Sequence, residues 1–168
     1  MREHNRDRGR LEDILKYAKN VEQIVNGISY EQFVADIRIY YSVMKNVEVI
    51  GEAANMLTRH FREEYNELPW RLIVSMRNVL VHGYAQVSDA DLWQTATNDI
   101  KPLSDQVQRY LNEIDWEQWV LGEDPYTEID NAGYKQAIES AQRMKAKGYA
   151  VADIVEITGL TSEEIERL

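Results

Sequence analysis

Apolar side chains recur every three or four positions through most of the first 111 residues, and that period decides the fold class. One run shows Leu11, Ile14, Leu15, Ala18, Val21, Val25 and Ile28; the next shows Phe33, Ile37, Tyr40, Met44, Val47, Ala54, Leu57 and Phe61. A shorter run holds Trp70, Ile73, Val74 and Val81, with Arg77 in the same stripe, and a last one holds Leu92, Trp93, Ala96, Ile100, Leu103, Val107, Tyr110 and Leu111. Strands alternate every second residue and are shorter, so these four segments read as amphipathic helices. Asn26-Gly27-Ile28-Ser29 reads as a helix stop followed by an N-cap, with Gln32 placed to complete a capping box. Asn66-Glu67-Leu68-Pro69 breaks the chain before the third helix, where Pro69 suits a first-turn position. The fourth helix begins near Ser88 to Asp91, and Pro102 is expected to kink it. Short turns between such helices predict an all-α, up-and-down four-helix bundle over residues 1–114.

Composition narrows the chemistry. The 168 residues suffice for one sizeable core and a small appendage. There is no cysteine, which removes disulfides, thiolate nucleophiles and cysteine-ligated zinc, and agrees with a reducing cytoplasm. No apolar run is long enough for a bilayer, and Met1-Arg2-Glu3-His4-Asn5-Arg6-Asp7-Arg8 is not followed by a signal-peptide core, so a cytoplasmic protein without membrane association is expected. A net charge of −10 argues against broad nucleic-acid binding through a basic surface, so any RNA contact must be local. Arg71 and Arg77, with Arg59 and Arg62 upstream, are the candidates for such a patch. No carboxylate and histidine cluster stands at metal-ligand spacing and no glycine-rich phosphate loop is present, so neither metal nor cofactor is expected.

The C-terminal third has a different texture. Residues 115–130 read as a linker whose first part holds Trp116 and Trp119, expected to cap the bundle or join a subunit contact; residues 131–168 read as a short helical tail. Its helix-turn-helix pattern around Gly148 and Gly159 invites a DNA-binding reading. Glu156, Glu163, Glu164 and Glu166 crowd the piece that would enter a groove, which favours a docking role. The tail also resembles the short helical C-terminal extensions of some mobile-element nucleases.

Arg77-Asn78-Val79-Leu80-Val81-His82-Gly83-Tyr84 concentrates the chemistry. Arg77 lies on a packing face, where a cation needs a partner or a ligand. Asn78 and His82 are four apart and share a face, so the amide can fix the imidazole tautomer. Gly83 commonly ends a helix and turns Tyr84 out of register. One cation, one imidazole and one phenol suggest phosphate chemistry; were the phosphate that of an RNA lying across this helix end, metal-free cleavage would need a base near neutral pKa, a cation for the phosphorane oxygens and an acid for the leaving oxygen. His82 suits proton transfer and Arg77 suits the phosphate, with Tyr84 holding substrate. One chain offers one such histidine, so two copies would supply both proton-transfer groups. Glu48 and Glu52, four apart on the second helix, are candidates to hold Arg77 or to shape the cleft between two copies. A plainer reading makes His82 a partner for the helix dipole, Gly83 a cap and Arg77 a tie between helices.

The order and spacing of Val49-Ile50-Gly51-Glu52-Ala53-Ala54, Glu67-Leu68-Pro69-Trp70-Arg71, Met76 to Tyr84, Leu92-Trp93 and Ile100-Lys101-Pro102-Leu103 resemble the HepT family of the HEPN superfamily, over roughly Arg10 to Leu111. The resemblance implies a helical ribonuclease toxin with Arg77 and His82 catalytic, working as a homodimer or higher even oligomer in which two R-x4-H motifs face each other. It further implies a nucleotidyltransferase antitoxin that adenylylates Tyr84. A non-catalytic helical module that presents such a nucleotidyltransferase is the alternative.

Overall fold

The computed structural model describes residues 4–82, 87–122 and 126–168, with side chains for all of these except 4, 5, 82, 127–131 and 163. The chain forms two compact units, residues 1–123 and 124–168. No strand occurs among the described residues.

The first unit is a helical bundle built on α1 (His4–Val25), α3 (Ile37–Asn55), α5 (Trp70–His82) and α7 (Ile100–Glu113), joined by short helices α2 (Tyr30–Ala35), α4 (Arg59–Glu64), α6 (Asp89–Gln94) and α8 (Trp116–Leu121). Helix α3 is central: it packs on α1 along one side and on α5 along another, while α1 also packs on α7. The stripe Leu11, Ile14, Ala18 and Val21 is wholly buried, as are Val43, Phe61, Leu92 and Val107. Helix α1 gives way to Gly27, whose φ of +76° only glycine adopts without strain. The capping box expected at the next turn is formed: Ser29 N–H donates to Gln32 Oε1 at 2.8 Å, and Gln32 N–H donates to Ser29 Oγ at 3.3 Å.

The second apolar run is not one helix but three. Asp36 ends α2 and starts α3, its Oδ1 accepting from Arg38 N–H at 2.9 Å, while Arg38 Nη2 pairs with Asp36 Oδ2 at 2.7 Å. Ile37, expected in the core stripe, is therefore 66% exposed. Thr58 makes the second break by capping α4, its Oγ1 accepting from Phe61 N–H at 3.1 Å. Such side chains offer the backbone a local alternative to the helix, and the apolar spacing on either side carries no trace of it.

Pro102 likewise acts upstream of itself. A π-helical turn over Thr95–Asp99 separates α6 from α7, in the turn where a proline lacks its N–H donor and crowds the carbonyl four residues earlier.

One end of the bundle is closed by aromatic rings. Phe61 packs against Tyr65, Trp70, Tyr110, Trp116 and Trp119. Trp116 and Trp119 cap the bundle through α8, so residues 116–121, expected within a linker, pack on the first unit. Beneath them lies a buried carboxylate. Asp7 accepts from Thr58 N–H at 2.8 Å, Thr58 Oγ1 at 2.7 Å and Trp119 Nε1 at 3.2 Å, tying α1, α4 and α8 together. These donors follow the general rule that a buried polar group is hydrogen-bonded.

In the second unit, α9 (Thr127–Ala146), α10 (Val151–Thr158) and α11 (Ser162–Glu166) enclose a small core of Ala141, Ile154, Leu160 and Ile165. Gly148 and Gly159, at φ of +80° and +71°, make its two turns. Glu164 closes a cap on Thr161 N–H at 2.8 Å and accepts from Tyr134 Oη at 3.0 Å, so this carboxylate braces the unit from within.

Candidate active site

Helices α3 and α5 approach each other more closely than side chains normally allow, and Gly51 is the reason. A Cβ placed there would collide with Arg77 Cβ and stand 3.0 Å from the Ile73 carbonyl oxygen. The glycine costs α3 about 1 kcal/mol of helix propensity relative to alanine. In exchange it leaves room for the base of the Arg77 side chain against α3.

That approach sets the electrostatics. Arg77 Nε stands 2.8 Å from Glu52 Oε2, and the two side chains are 26% and 40% exposed. Both contacting atoms are shielded from water, yet the Nε–H is not aimed at the oxygen, so the contact is an ion pair without a formed hydrogen bond. Helix packing, not hydrogen-bond geometry, holds the charges together. Arg77 Nη1 in turn donates to Asn78 Oδ1 at 3.0 Å.

Of the residues singled out from the sequence, the structure thus brings together Arg77, Asn78 and Glu52. Glu48 is engaged elsewhere, its Oε1 2.7 Å from Lys45 Nζ, and does not hold Arg77. This follows from register: Lys45 is three residues away on the same helix, within easy reach of Glu48. The backbone of His82 is the last described position of α5, one turn beyond Asn78. The His82 side chain, Gly83 and Tyr84 lie outside the described residues. The expected Asn78 to His82 hydrogen bond falls there too, but Asn78 Oδ1 already accepts from Arg77. Gly51 is the functional position that helical periodicity does not reveal. Its signal is a glycine in mid-helix, which marks close backbone approach.

Chemically, a guanidinium fixed by a carboxylate on one side and an amide on the other is a pre-positioned donor for a planar or tetrahedral anion. His82, five residues further along the same helix, brings an imidazole, a residue type suited to proton transfer.

Comparison with known proteins identifies the fold that carries this arrangement. The family described as Ribonuclease HepT-like matches residues 14–110. "Putative RNase TTE0752" of Caldanaerobacter subterraneus subsp. tengcongensis is 37% identical over 101 residues, covering 60% of this chain and 90% of that protein. "Putative RNase MJ1380" of Methanocaldococcus jannaschii is 33% identical over 98 residues, 58% of this chain and 90% of that protein. "Probable ribonuclease HepT" of Thermococcus cleftensis is 32% identical over 99 residues, 59% of this chain and 90% of that protein. No solved structure matches the chain. The match spans α3, α5 and the Gly51, Glu52, Arg77 and His82 positions, and residues 111–168 lie beyond it. The chain belongs to the HepT-like ribonuclease family.

Proposed function

We propose that this chain is a toxin endoribonuclease that cleaves RNA without a metal ion, working as a homodimer or higher even oligomer and neutralised when a nucleotidyltransferase partner adenylylates Tyr84. The observation that carries the reading is the chain of contacts from Glu52 through Arg77 to Asn78, which stands one helical turn before His82. Arg77 receives the non-bridging phosphate oxygens. His82 takes the ribose 2′ proton as the 2′ oxygen attacks phosphorus; the bond from phosphorus to the 5′ oxygen breaks, and His82 of the second copy returns a proton to that leaving oxygen. The products are a 2′,3′-cyclic phosphate and a 5′ hydroxyl. Two facing motifs suit a two-fold interface, since such symmetry places the same residues on both sides.

Adenylylation of Tyr84, two residues past His82 in the sequence, adds a negative phosphate and a bulky nucleoside that compete with the RNA phosphate for Arg77. The test is end-group analysis of labelled RNA incubated with the purified chain in EDTA. Cyclic phosphate and 5′ hydroxyl ends support the mechanism; 5′ phosphate ends overturn it.

A further inference from the structure

Beside α4 and the N-terminal turn of α5 lies a cleft of about 710 Å³, separate from the Arg77 contact. Arg59, Arg62 and Arg71 line it, with Glu63 the one acidic side chain in the lining; Trp70 and Asn66 contribute to its wall. The lining thus gathers three arginines and one glutamate on a chain whose net charge is −10. Arg59 and Glu63 pair at 2.7 Å with nearly half of each side chain exposed, so the pair is easily exchanged for a stronger anion. Trp70 is buried and anchored, its Nε1 donating to the Tyr65 carbonyl at 2.7 Å, which makes that wall rigid.

We propose that this cleft is a phosphate-binding subsite for single-stranded RNA, holding the strand a few nucleotides away from the bond that is cut. The inference rests on the ribonuclease reading above, because that reading says which polyanion arrives. Helix α5 has 13 residues and so spans roughly 20 Å, with the cleft at its first turn and His82 at its last. A strand that runs the length of α5 meets the guanidinium groups of the cleft at one end and His82 at the other. Arginine suits this task because its fork donates two parallel hydrogen bonds to a phosphate. An acidic protein segment would meet the same charges. The cleft is lined by the first turn of the same helix that carries Arg77 and His82, which favours RNA.

The test is fluorescence anisotropy with a labelled single-stranded RNA whose 2′ hydroxyls are methylated, so that binding is read without cleavage. Arg62→Ala/Arg71→Ala is expected to weaken binding about tenfold at 0.1 M salt and to lower the magnitude of the salt slope by roughly 1.4, the value for two phosphate contacts on a single strand. Lys135→Ala/Arg143→Ala removes the same charge from the second unit and is expected to change affinity less than twofold. Arg62→Lys/Arg71→Lys, which keeps charge and fold, is expected to recover part of the loss. Equal affinity for parent and cleft variant, or an equal loss in the control pair, overturns the subsite. Cleft-dependent binding of labelled polyglutamate with none of the RNA also overturns it, in favour of a protein partner. RNA binding that needs the cleft, in a chain that never cuts RNA, keeps the subsite and removes the nuclease reading.

Discussion

Arg77 Nε and Glu52 Oε2 are 2.8 Å apart across the α3 and α5 contact, in a place that only Gly51 leaves open. The Arg77 guanidinium is therefore positioned by a carboxylate and by the absence of a side chain. Glu52→Ala is expected to lower the rate of RNA cleavage by about ten- to a hundredfold, the scale on which slight misplacement of a catalytic group acts. Glu52→Gln retains shape without charge and is expected to fall between the two. Initial rates on a defined RNA check this, and parental rates in Glu52→Ala contradict it.

Gly51→Ala inserts a methyl group where Arg77 Cβ and the Ile73 carbonyl already stand. The expected cost is about 1–3 kcal/mol from overpacking, with a loss of activity larger than the fraction unfolded explains. Urea unfolding beside rate measurements separates the two effects. A variant as stable and active as the parent would show that α3 and α5 have room to part.

Thr58 supports two structures at once, the α4 cap and the buried Asp7 carboxylate. Thr58→Val is expected to destabilise the fold by roughly 1–3 kcal/mol, since it leaves a buried carboxylate oxygen short of a donor. Thr58→Ser keeps both hydrogen bonds and is expected to cost much less. Denaturation midpoints at neutral pH check the contrast.

Tyr110 Oη donates to Glu67 Oε2 at 2.7 Å, and this hydrogen bond holds the Glu67 carboxyl below its ordinary value of 4.5. A depressed carboxylate contributes stability that is present above the unfolded value and lost as pH falls through the folded one. Tyr110→Phe is thus expected to be less stable than the parent by roughly 1 kcal/mol at pH 7, with the gap closing below pH 4.5. A gap unchanged down to pH 2 contradicts this assignment.

Tyr84→Phe is expected to resist adenylylation and to escape neutralisation by a cognate nucleotidyltransferase supplied with ATP and magnesium. Intact mass and peptide mapping check it. An adenylylated Tyr84 chain that still cuts at the parental rate contradicts the blocking mechanism.

Helical periodicity made α1, α3, α5 and α7 legible, because each presents an apolar face to a common core. The Ser29 and Gln32 capping box was legible because its residues stand three apart. The breaks at Asp36 and Thr58 were not, since Phe33, Leu57 and Phe61 stay buried across them and the pattern runs on. Asp7 was invisible for another reason. Between Arg6 and Arg8 it reads as a solvated charge, and its partners Thr58 and Trp119 come from 51 and 112 positions away. At the site, Arg77 announced its need for a partner by lying in an apolar stripe. The choice of Glu52 over Glu48 required the register between α3 and α5, which composition and spacing do not record.

The central claim is that His82 transfers the proton in metal-independent RNA cleavage, with Arg77 on the phosphate. Its most direct measurement is the cleavage rate of labelled RNA in EDTA by the parent and by His82→Ala, with circular dichroism on both. Cleavage by the parent is expected, and His82→Ala is expected to lose it at least a hundredfold with an unchanged helical signal. Full activity in His82→Ala, or cleavage by the parent that stops in EDTA, would contradict it.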